Sequence, residues 1–260
     1  MKSRNLLQTI RLAQKVKTLP DGTKVIERFN LTERFEHQVL IISFTLLAIT
    51  GLVQRYSDTE AAIFVINEVL GGIDSTRVVH HISAIVMAIQ TAFHFGRLIV
   101  DVVVNRNIGN MLPSLQDLKD LIAMFKYFFN KGEKPKEDRF TIDEKIEYWA
   151  LLYGTIIIGI TGLIQWFPVF FTKYFPGIVI PISRTIHSWE AVLAVSAIVT
   201  WHMYHTLIKE RNFSIFTGWM PKKEVEHNHP LEYERIQKAY QLVEQMKALQ
   251  ASEEQAEEKE

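Results

Sequence analysis

The chain has 260 residues, of which 48% are hydrophobic and 22% charged, with a formal net charge of zero. These averages hide a segregation, because four mostly apolar stretches lack Asp, Glu, Lys and Arg and approach the length that an α-helix needs to cross a bilayer. The segregation excludes a soluble enzyme with one core. It predicts transmembrane helices over residues 36–56, 78–104, 147–171 and 186–208.

The placement of Lys and Arg predicts the topology. Basic residues are frequent in the N-terminal segment 1–34, in the loop 105–145 and in the C-terminal segment 210–260, and they are sparse in the two other loops. The positive-inside bias therefore places both termini and the middle loop in the cytoplasm. The predicted fold is all-α, an integral membrane four-helix bundle over residues 35–209 with N-in and C-in orientation, flanked by two cytoplasmic tails.

Two further helices are predicted outside the spans. Residues 114–130 follow a Pro-Ser start signal and repeat apolar side chains at helical spacing, with Lys and Asp on the opposite side. This pattern predicts an amphipathic helix along the cytoplasmic membrane surface, in contact with lipid. From Lys222 onward the chain is polar and rich in Glu, which predicts a solvated cytoplasmic helix.

The first and third spans end in nearly the same six residues, Ile-Thr-Gly-Leu-Val-Gln at 49–54 and Ile-Thr-Gly-Leu-Ile-Gln at 160–165. The echo indicates that spans 1–2 and 3–4 are related hairpins. A Thr-Gly pair permits the close approach of a neighbouring helix or of a flat ligand, and the sequence leaves both interpretations open.

Histidines are the residues that carry chemistry in this chain. Ionisable groups at membrane depth usually mark a function. There is no cysteine, which excludes disulfides, cysteine-bound zinc, iron–sulfur clusters and c-type haem attachment on this chain. Seven of the nine histidines lie in or beside the predicted spans: His37, His80, His81, His94, His187, His202 and His205.

The spacing of these histidines favours haem over other metal sites. His80 and His94, like His187 and His202, lie four turns apart, which is about 21–22 Å along a helix and within roughly 60° of one face. Such pairs suit two macrocycles stacked across a membrane, each held by two imidazoles, and bis-His ligation favours electron transfer. Zinc or di-iron sites need ligands that converge within one or two turns.

Three arginines each precede a histidine by three residues: Arg34, Arg77 and Arg184. A residue at that offset shares the face of the histidine and reaches the membrane rim, where a guanidinium can bind haem propionates. The alternative is that these arginines extend to lipid headgroups.

Several motifs in order resemble those of a known family, over about residues 34–236. They are Glu33-Arg-Phe-Glu-His37, Thr50-Gly-Leu52, Gly71-Gly72, Arg77-Val-Val-His80, Lys145-Ile-Glu-Tyr-Trp149, Ile186-His187, Trp201-His-Met-Tyr204 and His227-Asn-His-Pro-Leu-Glu-Tyr233. The chain resembles the cytochrome b (gamma) subunit of membrane-bound formate dehydrogenases. That subunit belongs to the four-span dihaem cytochrome b superfamily, which also serves hydrogenases and thiosulfate reductases.

The resemblance implies two b haems, one held by His80 and His187 near the outer face and one by His37 and His202 near the cytoplasmic face. His94 is an alternative to His37 for the second haem. His94 and His205 are also candidates for quinone contacts, and together with His81 they leave a third haem as an alternative.

The resemblance further implies an electron-transfer subunit in a prokaryotic cytoplasmic (inner) membrane, rather than a stand-alone enzyme. It would connect menaquinone or ubiquinone with a periplasmic-side catalytic or electron-carrier subunit that contains iron–sulfur clusters or a multihaem cytochrome c. No nucleic acid partner is expected. The rival hypotheses are a His-rich membrane metalloenzyme and a structural membrane anchor without haem.

Overall fold

A computed structural model of the chain describes residues 3–103 and 111–257, and these residues are mostly helical. The helices in chain order are α1 (Ser3–Ala13), α2 (Leu31–Arg55), α3 (Glu60–Phe64), α4 (Ile73–Val103), α5 (Leu115–Phe128), α6 (Ile142–Trp166), α7 (Pro168–Phe171), α8 (Val179–Ala197), α9 (Ser214–Thr217), α10 (Lys222–Asn228) and α11 (Pro230–Glu257). The strands are β1 (Val16–Thr18), β2 (Lys24–Glu27) and β3 (Trp219–Pro221). Turns of π-helix cover Val65–Val69, Ile198–His202 and Tyr204–Lys209.

The four predicted spans are confirmed. Helices α2, α4 and α6 and the continuous segment Val179–Lys209 are each long and apolar enough to cross a membrane. Each begins five to seven residues before the predicted start. In α2, α4 and α6 polar residues of the first turn continue the helix. The third span ends at Trp166, five residues early, since Phe167 precedes Pro168 and the residue before a proline avoids helical geometry. Residue 104 of the predicted second span, and 105–110 of the predicted loop, lie outside the described residues.

The described residues divide into two compact units. One, the terminal unit, contains residues 1–31, 110–145 and 213–260; the other, the bundle unit, contains 32–109 and 146–212. The sequence predicted two separate tails and a loop within the bundle domain. The structure instead packs these three segments into one unit, because each contributes to a shared sheet, core or ion-pair cluster.

A three-stranded antiparallel sheet in the terminal unit was missed by the all-α prediction. Strand β2 lies between β1 and β3, and Ile26 pairs with Met220 in the register. The turn between β1 and β2 contains Pro20-Asp21-Gly22, a turn signal in which Gly22 adopts φ 81° at no steric cost. Ile26 and Met220 pack with Val225 and Ile236 in the core of this unit, and α1 packs against α11.

A buried arginine ties the segments of the terminal unit together. Arg28 donates to both carboxylate oxygens of Glu144 at 3.1 and 3.2 Å and to Glu232 at 3.3 Å, and it also donates to the carbonyl of Arg139. Its side chain is 1% exposed. A buried guanidinium needs such partners because an unpaired charge in a low-dielectric interior is very costly.

Helix α5 has the amphipathic character that the sequence predicts. Ser114 and Asp117 form a reciprocal capping box at its start, and Lys145 pairs with Asp117 at 2.6 Å. The apolar side chains Leu115, Leu118, Ile122 and Phe125 are exposed.

The bundle unit exposes apolar side chains and buries small hydroxyl groups. Long apolar side chains along all four spans, such as Ile42 and Ile89, are exposed, which is the surface expected of helices that face lipid. The buried polar residues in this unit include Ser43, Thr50 and Thr76. Their hydroxyls donate to carbonyl oxygens of their own helices, so small polar side chains can lie inside without an unsatisfied donor.

Candidate functional site

Two pairs of histidines face each other between the spans of the bundle unit. The ring centres of His80 on α4 and His187 on α8 are 6.3 Å apart, with 65° between the ring planes. The ring centres of His37 on α2 and His202, in the π-helical turn of the fourth span, are also 6.3 Å apart, at 38°. The structure thus brings together the two pairs that the resemblance implies.

The spacing within each pair suits one metal atom between two imidazoles. Two nitrogens bound on opposite sides of a metal at about 2 Å each place their ring centres roughly 6 Å apart. Stacked rings in this structure lie much closer, as His81 and Trp166 do at 4.0 Å. Within residues 3–103 and 111–257, no three His, Asp or Glu side chains converge on a metal site. The arrangement therefore favours a two-imidazole site over zinc or di-iron coordination.

The four spans make few close backbone contacts with one another among the described residues. Their contacts at this level are made by side chains, such as Thr50 with His80 and Thr161 with His187. Sparse backbone contact of this kind, together with the paired histidines, is compatible with a flat ligand between the spans.

The echoed Thr-Gly pairs hold the rings of His80 and His187. The Thr50 hydroxyl lies 2.8 Å from His80 Nδ1 and the Thr161 hydroxyl 3.2 Å from His187 Nδ1. A Cβ at Gly51 would lie 3.4 Å from His80, and one at Gly162 would lie 3.1 Å from His187. The glycines therefore give the rings space beside the threonines, which accounts for the repeated motif.

These contacts leave Nε2 of both rings available for a metal. Each threonine hydroxyl donates its own hydrogen to a carbonyl, of Leu46 at 2.6 Å and of Ile157 at 2.7 Å, so it can only accept from the imidazole. The carbonyl of Ile158, 3.0 Å from His187 Nδ1, also only accepts. Nδ1 therefore carries the hydrogen, and the Nε2 lone pair is free to bind.

The repeat extends to the other end of the spans. Glu36 lies fourteen residues before Thr50, and Glu147 lies fourteen residues before Thr161. Glu36 Oε2 accepts from His94 Nδ1 at 2.9 Å, and Glu147 Oε2 accepts from His202 Nδ1 at 2.9 Å. The hydrogen bonds of these two glutamates to histidines were not predicted from the sequence, although the spacing from the echoed threonines was available to find them.

The two hairpins, spans 1–2 (the first half) and spans 3–4 (the second half), differ in what surrounds these glutamates. In the first half Arg97 binds both oxygens of Glu36 at 2.8 Å; in the second half the equivalent position, three residues after the histidine, is His205. Beside Glu36 stands His37, and beside Glu147 stands Tyr148, whose hydroxyl lies 2.9 Å from His94 Nε2. Both nitrogens of His94 are therefore occupied by protein groups.

The fourth span contains a feature that brings its histidines closer to one face. In a regular α-helix His187 and His202 would differ by about 60° around the axis. The segment Ile198–His202 is a π-helical turn, which holds more residues per turn and so rotates less per residue. The angle between His187 and His202 around the helix axis is therefore smaller than in a regular α-helix. Single π turns of this kind are frequent at functional sites.

The remaining candidate residues lie apart from the pairs. His205 stacks on Trp201 at 4.6 Å, and in the described part of the chain it faces no second imidazole. Arg77 and Arg184 are exposed, and Arg77 contacts Asp74 at 3.4 Å. Arg34 is half-buried.

Sequence reasoning also missed Arg55, at the end of the first span. It donates to the hydroxyl of Ser188, the residue after His187, and lies 4.4 Å over the ring of Trp189.

Comparison with known proteins identifies the family. Residues 28–219 match the family described as prokaryotic cytochrome b561. The chain belongs to this family.

Several relatives of this cytochrome are similar over most of the chain. The cytochrome b556 subunit of the nitrate-inducible formate dehydrogenase of Escherichia coli strain K12 is 24% identical over 219 residues, covering 84% of this chain and 94% of the relative. The formate dehydrogenase cytochrome b556 subunit of Haemophilus influenzae is 25% identical over 219 residues, covering 83% and 84%. A second such E. coli subunit, named fdo, is 23% identical over 214 residues, covering 82% and 94%.

Family membership and the four apolar spans establish the general role of this cytochrome. It is a membrane protein that binds haem b, and it serves as a membrane-anchoring cytochrome b electron-transfer subunit.

Proposed function

We propose that the cytochrome holds two b haems, one between His80 and His187 and one between His37 and His202. The observation that carries the proposal is that both pairs have ring centres 6.3 Å apart. Haem b held by these histidines would supply reversible one-electron transfer. The protein contributes the imidazoles, fixes the tautomers of His80 and His187, and keeps the sites within a low-dielectric bundle.

The proposal assigns other roles to the remaining histidines. His94 lies between Glu36 and Tyr148 and faces no second imidazole among the described residues, which argues against a role as ligand in place of His37. His205 stacks on Trp201 and His81 stacks on Trp166, and the imidazole nearest His81 is His80, which is already paired with His187, so a third haem lacks a separate pair of ligands in the described part of the chain. We assign His205 to a quinone contact, and we assign His94 to the same site through Tyr148, whose hydroxyl can bond to a quinone oxygen.

Arginines beside the ligands are proposed to bind the haem propionates. Arg77 and Arg184 each lie one turn before a ligand of the His80–His187 pair, and Arg34 lies one turn before His37. The exposed guanidiniums of Arg77 and Arg184 remain accessible for bidentate hydrogen bonds to carboxylates.

The biological role follows from the relatives. Their names place them in formate dehydrogenases, so we propose that this chain connects a catalytic or electron-carrier subunit on the periplasmic side, with iron–sulfur clusters or a multihaem cytochrome c, to menaquinone or ubiquinone. The membrane is proposed to be the prokaryotic cytoplasmic membrane, with both termini and α5 on its cytoplasmic side. The exposed apolar stripe of α5 supports contact with lipid.

The haem-to-protein ratio tests the proposal. Purified full-length cytochrome should contain two haems, and His80→Ala and His187→Ala should each remove the same one, while His37→Ala and His202→Ala remove the other. His227→Ala, a change of the same kind at an exposed position outside the spans, should retain both. A ratio of zero would favour a structural anchor or a His-rich metalloenzyme, and a ratio of three would refute the assignment of His94 and His205.

A further inference from the structure

The four proposed axial histidines differ in the group that accepts the Nδ1 hydrogen. His80 donates to a threonine hydroxyl, and His187 donates to a backbone carbonyl and lies beside a hydroxyl. His202 donates to the carboxylate of Glu147 at 2.9 Å. The buried Nδ1 of His37 has no hydrogen-bond partner among the described residues. Of the four histidines, His202 is therefore the one that donates to an anionic acceptor among the described residues.

An anionic acceptor changes the ligand more than a neutral one. Hydrogen bonds to a carboxylate are shorter and roughly twice as strong as those between neutral groups, and they raise the basicity of the imidazole. A more basic ligand stabilises the ferric over the ferrous state, and hydrogen bonds to the ligands are one of the means by which proteins set a haem potential.

The internal repeat shows that the charge of Glu147 is not neutralised in the way its counterpart is. Arg97 binds both oxygens of Glu36, and His205 occupies the equivalent position in the second half. Within residues 3–103 and 111–257, Glu147 forms no ion pair with Lys or Arg, and its side chain is 27% exposed. The negative charge of Glu147 therefore acts on His202 without a Lys or Arg partner among the described residues.

We propose that Glu147 is a positioning residue that makes the His37–His202 haem the lower in potential of the two, an inference that rests on the proposed ligation. Glu147 orients His202 and supplies the anionic acceptor. In the first half the equivalent glutamate, Glu36, is paired with Arg97. Glu147 and the histidine at position 205 thus lower the potential of the His37–His202 haem.

Redox titration of the full-length cytochrome tests this inference. Each haem gains one electron from a mediator, and each is assigned by its loss in His80→Ala or His202→Ala. In Glu147→Gln, which keeps an acceptor and removes the charge, we expect the ratio of reduced to oxidised His37–His202 haem at fixed potential to rise about tenfold, or about 59 mV. The electron paramagnetic resonance signal of the same ferric haem should also shift.

Two further variants make the test specific. His205→Arg introduces the arginine that the first half has at the equivalent position. It should raise the potential of the His37–His202 haem, so that the reduced-to-oxidised ratio of that haem at fixed potential increases severalfold. Asp143→Asn removes a charge one turn earlier on the same helix. The reduced-to-oxidised ratio of each haem at fixed potential should stay within twofold of the wild-type ratio. His205→Arg also serves if Glu147→Gln does not accumulate in the membrane.

The outcomes separate this inference from the ligation itself. A wild-type protein without two haems would refute the ligation. With two haems present, the role of Glu147 is refuted if Glu147→Gln and His205→Arg leave the potential of the His37–His202 haem unchanged. It is also refuted if the potential of the His80–His187 haem shifts by the same amount, or if Asp143→Asn has the same effect as Glu147→Gln. A His37–His202 haem that is the higher in potential in the wild type would refute the proposed order.

Discussion

Two helical glycines test how closely the protein fits the His80–His187 pair. A Cβ at Gly162 would lie 3.1 Å from His187 Cε1, whereas a Cβ at Gly51 would lie 3.4 Å from His80 Cε1. The first distance is shorter than a normal carbon–carbon contact, and the second is ordinary van der Waals contact. Gly162→Ala must therefore displace the ring of His187 by a few tenths of an ångström, and Gly51→Ala leaves the ring of His80 in place.

Overpacking of this kind costs about 1–3 kcal/mol, and 1.4 kcal/mol corresponds to a tenfold change in an equilibrium constant. We therefore expect Gly162→Ala to weaken retention of the haem that we propose between His80 and His187 by about tenfold, and Gly51→Ala by less than about threefold. The assay is transfer of haem from the full-length protein to a haem-scavenging protein, followed by absorption.

Gly159→Ala is the matched control, because a Cβ at Gly159 on the same helix meets nothing within 4 Å. The reasoning would be refuted if Gly162→Ala retained the haem as the wild type does, or if Gly159→Ala lost it equally. Loss of the His37–His202 haem instead would show that the substitution disturbs the bundle rather than one ring.

Two predictions concern the terminal unit, both measured by hydrogen exchange of β2 amides. Arg28→Ala leaves Glu144 and Glu232 without their guanidinium and should destabilise the unit by about 3–5 kcal/mol. Arg235→Ala breaks a more exposed pair and should cost less than about 1 kcal/mol. Equal effects of the two substitutions would contradict this reasoning. Burial raises the pKa of Glu137 from its ordinary 4.5 to about 7, so the folded unit holds a proton that the unfolded chain releases, and its stability should fall as pH rises from about 4.5 to about 7. Glu137→Gln should remove most of that decline, and an unchanged pH profile would show that another group is responsible.

The spans and the histidine positions could be predicted because they depend on one-dimensional features of the sequence. Apolar length determines which segments can cross a membrane, and a four-turn separation of histidines is a helical property. The Thr-Gly echo pointed to related hairpins, and the structure gives it a function, since Thr50 and Thr161 accept from the rings of two histidines.

Other features depend on contacts between distant segments and were not predicted. Strand β3 pairs with β2 across nearly two hundred residues, and neither strand is long enough to show a clear alternation. The π-helical turn at Ile198–His202 has no sequence signal that distinguishes it from α-helix. Glu147 entered the sequence analysis only as part of a motif. Its hydrogen bond to His202 joins two spans, and the sequence indicates it only when the two hairpins are aligned on their threonines.

That alignment explains why one end of the bundle is symmetric and the other is not. At the threonine end each hairpin contributes one histidine that lies beside a threonine hydroxyl. At the glutamate end His94 and His202 are equivalent, but the residue after Glu36 is His37 and the residue after Glu147 is Tyr148. Since Tyr148 bonds to His94 Nε2 at 2.9 Å, only His202 faces a second imidazole. A tyrosine at one position and an arginine at another thus convert two equivalent halves into one open ligand pair and one closed, ion-paired cluster.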